Sequence, residues 1–121
     1  MGERSEQRAL YNTCLRLQGD IREVQQRAAF EGCTYTVLFS LADNSYKIGR
    51  SASIIDRTVP FEKGVSYNTG YTMAFKDAKL VFTSNGTVSG KGGTIYLKSG
   101  RFTREITILP VSGRALIGEQ K

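Results

Sequence analysis

An apolar stripe near the start of the chain constrains its fold most. Leu10, Cys14, Leu17, Ile21, Val24 and Ala28 follow one another in alternating steps of four and three residues. Such steps keep side chains on one side of an α-helix. The remaining faces carry Arg8, Arg16, Gln18, Asp20, Arg22, Glu23, Gln25, Gln26 and Arg27. Glu23 stands four residues before Arg27, the favourable order for a helical ion pair. Gly32 supplies a stop, because glycine tolerates the left-handed conformation that follows many helices. A helix from about Glu3 to Glu31 would be roughly 40 Å long. Its stripe reads as a core-facing side. The beginning is less well defined. Ser5 is a candidate cap, yet Arg8 stands where a capping box wants Glu or Gln. Two explanations stay open: a helix that starts further upstream, or a frayed terminus.

Beyond Gly32 the texture changes to β. Thr34 to Ser40 is rich in aromatic and β-branched residues and predicts a strand. Leu41-Ala42-Asp43-Asn44 predicts a turn. Further strands are expected at Ser45 to Gly49, around Ile54 to Phe61, and at Tyr71 to Phe75, with Pro60 marking an edge or an exit. Leu80 to Thr83 and Thr87 to Ser89 are expected to form a hairpin about Asn85-Gly86, both of which accept positive φ. Thr94 to Leu97, Arg104 to Leu109 and Arg114 to Ile117 complete the series. The fold class is therefore α+β: one long N-terminal helix, its stripe packed on the face of an antiparallel β-sheet arrangement. The 121 residues make a single domain, with the helix at about 3–31 and the β-rich part at 33–118.

Composition excludes much chemistry. There is no histidine, so triads, Cys-His dyads and His-ligated metal sites are ruled out. Two cysteines cannot supply a four-thiolate zinc site. No apolar run is long enough to span a membrane. No secretory leader is visible, and Glu6 occupies the position where a myristoylation signal needs Ser or Thr. The net charge is +6. It is unevenly spread: residues 1–75 are close to balanced at +1, whereas residues 76–121 carry +5. This bias permits an anionic partner without demanding one.

Several local patterns fail as sites. Gly86 to Gly92 faintly resembles a phosphate loop. It has three residues between its glycines where four are needed, and Gly92 where a hydroxyl must bind magnesium. Asn85-Gly86-Thr87 matches a glycosylation acceptor but is explained by turn chemistry. Asp43, Asn44 and Asp56 lack the dense spacing of a calcium loop. No Ser-Lys pair is singled out by sequence. Neither a cofactor nor a metal is expected. Cys14 and Cys33 would lie roughly 28 Å apart along a continuous helix, too far for a disulfide. Both are expected as free and mostly buried thiols.

An ordered set of segments carries a resemblance. Tyr35-Thr36-Val37-Leu38-Phe39 precedes Tyr46-Lys47-Ile48. Phe82-Thr83-Ser84-Asn85-Gly86-Thr87, Gly93-Thr94-Ile95-Tyr96-Leu97, Ile106-Thr107-Ile108 and Gly113-Arg114-Ala115-Leu116-Ile117 then follow. Over about residues 8–118 this resembles type IV pilin-like proteins. The nearest types are the H-type minor pseudopilins of type II secretion, the FimT-like minor pilins and the competence pseudopilins. The resemblance implies a non-catalytic structural subunit of a filament. It implies an apolar helix ahead of Glu3 that anchors the subunit in the cytoplasmic membrane, with the domain on the periplasmic or extracellular side of the cell envelope. A prepilin peptidase would trim the precursor, and the partners would be other pilin or pseudopilin subunits. On that reading the chain is a soluble piece of a longer protein, and Met1-Gly2 is a non-native scar.

The alternative is DNA binding in uptake. Some FimT-like proteins bind DNA through a Gly-Arg-x-Arg motif. Here the matching stretch is Gly113-Arg114-Ala115-Leu116, so Leu116 replaces the second arginine. The candidate phosphate contacts are Lys91, Lys98, Arg101, Arg104 and Arg114. An enzyme is the third class, and no residue constellation supports it.

Overall fold

The computed structural model describes residues 3–51, 53–68, 78–90, 92–110 and 112–119. Its first element is a single unbroken helix, α1, Glu3–Glu31. Ser5 lies inside this helix and does not cap it. The C-terminal end follows glycine chemistry. Gly32 adopts a φ of 66°, and the Cys33 N–H donates to the Ala28 carbonyl at 3.1 Å. That bond is the closing bond of a Schellman motif.

Among the described residues eight strands follow: β1 Tyr35–Ser40, β2 Ser45–Ser51, β3 Ile54–Pro60, β4 Val65–Tyr67, β5 Lys79–Phe82, β6 Gly93–Ser99, β7 Phe102–Ile108 and β8 Ala115–Glu119. They form two four-stranded antiparallel sheets, in the orders β3-β2-β1-β5 and β4-β6-β7-β8. We call them sheet one and sheet two. The expected packing on one sheet face is thus divided between two sheets, and α1 touches strands of both. Period-two alternation explains which residues turn inward. Tyr35, Val37 and Phe39 alternate inward on β1, Tyr46 and Ile48 on β2, Leu80 and Phe82 on β5. Sheet two contributes Ile95 and Leu97 from β6, and Ile106 and Ile108 from β7. All of them join the helix stripe in one continuous core.

Three local expectations change. The Asn85-Gly86 turn is not a two-residue hairpin with both residues at positive φ; only Gly86 has one, at 82°. Gly86 N–H donates to the Thr83 carbonyl and Thr83 N–H to the Thr87 carbonyl, each at 2.8 Å. This is a three-residue loop, a turn followed by a left-handed glycine. After it, Thr87 to Ser89 forms no strand and keeps only the isolated bridge between Phe82 and Val88. The short strand β4 is an addition to the expected series. It exists because Val65, Ser66 and Tyr67 pair with Ser99, Lys98 and Leu97 of β6. The strand expected at Tyr71 to Phe75 lies outside the described residues.

Candidate functional site

The helix stripe is the best-defined cluster. Leu10, Cys14, Leu17, Ile21, Val24 and Ala28 are each at most 1% exposed. Burial also acts on the Cys14 thiol. Desolvation pushes its pKa up to about 11, and the nearby Arg104 offsets this only in part. Cys33 is half-buried just past the helix, and both cysteines are free.

Polar flanks hold α1 on its two sheets in different ways. On the sheet-one flank Asp20 is the hub. It accepts from the Tyr46 hydroxyl at 2.5 Å and from Arg57 of β3 at 3.2 Å, while Arg57 also reaches Glu23 at 3.2 Å. Burial, and then the neighbouring Asp20, push the Tyr46 hydroxyl well above the usual tyrosine pKa. Toward the helix end, Glu31 accepts from the Tyr35 hydroxyl at 2.5 Å and pairs with Arg27 and Arg50. The Tyr35 hydrogen bond comes first among the causes that hold the Glu31 carboxyl below its ordinary value.

The sheet-two flank is built from amides. Gln18 Nε2 donates to the Ala115 carbonyl at 2.8 Å, and Gln25 Nε2 donates to the Gly86 carbonyl at 2.8 Å and to the Ser112 carbonyl. These bonds tie α1 to the turn at Gly86 and to the start of β8 with the loop before it. Buried Gly113 makes that approach possible. Its φ is 71°, and a Cβ there would stand 2.6 Å from a Phe82 ring carbon.

The candidate phosphate contacts do not converge. Residues directly opposite in an antiparallel pair share a face. Lys98 is opposite Ser66 and Thr103, whereas Arg104 is opposite Leu97, on the face that packs toward α1. Arg104 lies over the Tyr11 ring at 5.1 Å. Arg101 sits at the β6–β7 turn, over Phe102, and exposed Arg114 precedes β8 at the far end of the same sheet. The length of β7, roughly 20 Å, separates those two ends. Lys91 lies outside the described residues.

The weaker motifs are absorbed by structure. Asp43 holds the Ser40 hydroxyl and pairs with Lys47, and the Asn44 side chain accepts from the Tyr67 N–H at 3.3 Å. Asn44 itself takes a φ of 50° in the β1–β2 turn. Among the described residues no three His, Cys, Asp or Glu side chains gather as metal ligands. Among them, too, no helix is long and apolar enough to cross a membrane.

Sequence reasoning missed one surface. Exposed Leu15 and Arg22, with Gly19 between them, border a groove against Arg114 and Ala115. The available signal was an apolar residue set one position off the stripe, beside a glycine in mid-helix.

No protein-family model and no curated protein sequence matches the chain. Solved structures do. The minor pseudopilin EpsH from the type 2 secretion system of Vibrio cholerae superposes with a TM-score of 0.68 at 10% identity, covering 91% of this chain and 96% of that one. The type IV minor pilin FimU of Pseudomonas aeruginosa superposes with a TM-score of 0.67 at 15% identity, covering 95% of this chain and 90% of that one. A second crystal form of FimU gives 0.64 at 18% identity, covering 89% and 91%. The chain therefore has the fold of minor pilins and pseudopilins.

Proposed function

We propose that the chain is a non-catalytic structural subunit, a minor pilin or pseudopilin, of a type IV pilus, type II secretion or competence filament. One observation carries this reading. The helix of a minor-pilin fold runs unbroken over 29 residues with its stripe sealed by the chain's own two sheets. Such a helix serves as the amphipathic continuation of a more apolar one. About 20 apolar residues ahead of Glu3 would hold the subunit in the cytoplasmic membrane. Helix–helix packing with other subunits would replace the lipid on assembly. The β-rich part would face outward, in the periplasm or outside the cell. A prepilin peptidase would act on the precursor.

The codons ahead of Glu3 in the intact gene test this. The reading expects an apolar stretch of about 20 residues behind a short leader. A natural start at Met1 overturns it. DNA binding is the weaker reading, because the described basic candidates are dispersed over both faces and both ends of sheet two.

A further inference from the structure

The sheet-two flank of α1 carries a groove of about 540 Å³, bordered by Leu15, Gln18, Gly19, Arg22 and the residues leading into β8. We propose that this groove and the edge of β8 turned away from β7 receive an extended, acidic segment of a separate partner protein, which adds to sheet two as a further strand. The inference stands apart from the filament reading and concerns this surface alone.

Four observations support it. First, β8 ends its sheet, and among the described residues it pairs only with β7. Second, its backbone is aimed correctly. Leu109 N–H donates to the Arg114 carbonyl at 2.9 Å, so Arg114 points its backbone at β7. Alternation then turns Leu116 and Gly118 toward β7 and Ala115 and Ile117 away from it. The Ala115 carbonyl is taken by Gln18, which leaves the Ile117 N–H and carbonyl to meet an incoming strand. Third, the charge is one-sided. Arg22 and Arg114 are exposed, and the lining contains no carboxylate. Fourth, Gly19 sits in mid-helix at a position where a Cβ would meet nothing within 4 Å. Packing inside the chain therefore does not require a glycine that costs about 1 kcal/mol relative to alanine. An incoming backbone could approach closely there, beside Leu15, which is 41% exposed.

A polypeptide fits this surface better than a nucleic acid does. Alternating backbone donors and acceptors match another peptide chain, as in other strand-addition complexes. A phosphodiester backbone offers acceptors only.

The test uses the full 121-residue chain and a fluorescent peptide of about eight residues alternating valine with glutamate, the length of an ordinary strand. Saturable binding is expected, weakened about tenfold or more in an Arg22→Glu, Arg114→Glu double variant. Slower hydrogen exchange is expected at the Ile117 amide when the peptide is bound. An equally tight valine–lysine peptide would overturn the proposal. So would undiminished binding by the double variant, an Ile117 amide that exchanges unchanged, or displacement by an oligothymidylate. A chain that is already dimeric by light scattering, with Ile117 protected, would assign the edge to a second copy and also overturn it. The charge variants lie on exposed side chains, so their folding is checked by circular dichroism alongside.

Discussion

Arg57 of β3 places its guanidinium 3.2 Å from the Asp20 carboxylate of α1, binding an edge strand directly to the helix. Asp20 is the less exposed partner and receives the Tyr46 hydroxyl on its other oxygen, while Arg57 also has Glu23, so replacing Asp20 by Asn removes the charge and one of the two acceptor oxygens. Asp20→Asn is expected to destabilise the chain by about 1–2 kcal/mol. Arg57→Ala is expected to cost less than about 1 kcal/mol, because that guanidinium is well exposed and solvent screens the pair. Urea denaturation of both variants and of the double variant measures the difference. Equal costs would show that Tyr46 contributes nothing through Asp20.

The stripe sets a sharper contrast between neighbouring helix positions. Leu17 and Ile21 are at most 1% exposed and touch the core, whereas Leu15 is 41% exposed. Leu17→Ala or Ile21→Ala is expected to cost about 2–5 kcal/mol. Leu15→Ala is expected to change stability by less than about 0.5 kcal/mol. Thermal melts of the three variants decide whether the sealed side has been assigned correctly.

Two glycines are expected to respond in opposite directions. Gly113 combines a φ of 71° with a close approach to Phe82, so Gly113→Ala should cost about 1–3 kcal/mol. Gly19 lies in ordinary helix with open space beyond it, so Gly19→Ala should stabilise the free chain by up to about 1 kcal/mol. A destabilising Gly19→Ala would mean that the helix needs the glycine for itself.

The cysteines should separate by reactivity and by pH. Iodoacetamide at mildly alkaline pH is expected to label half-buried Cys33 in the folded chain and Cys14 only after unfolding. Burial raises the Cys14 thiol from 9.0 to about 11 in the folded state. The unfolded state therefore gives up this proton first as the pH rises. The associated stability is fully present below pH 9 and is lost as the pH climbs through 11. A tenfold difference in proton affinity between the two states corresponds to about 1.4 kcal/mol. Cys14→Ala should therefore flatten the alkaline limb of the stability profile. An unchanged alkaline slope in the variant would contradict the assignment.

The sequence reveals α1 and its stop because a six-member stripe and Gly32 make the same demand at neighbouring positions. It does not reveal β4, whose three residues become a strand only by pairing with β6. It places a turn at Asn85-Gly86 correctly but not the loop length, which hydrogen bonding from Thr83 to Thr87 decides. The dispersal of the basic residues is partly legible. Arg104 shares its parity with Ile106 and Ile108, so period-two alternation already aims it at the core-facing side of β7. The groove beside Leu15 is not legible, because it arises where the helix meets a loop nearly 100 residues away, as the Gln18–Ala115 bond shows.

Membership of a filament is decided on the product of the intact gene. Filaments sheared from the cell surface, or assembled by overexpressing the major subunit, can be purified and analysed by mass spectrometry. Peptides of this chain are expected to co-purify with the filament and, where the proposed apolar segment precedes Glu3, to vanish from it when charged residues interrupt that segment. A chain that accumulates to normal levels yet is always absent from the filament fraction would refute the filament reading.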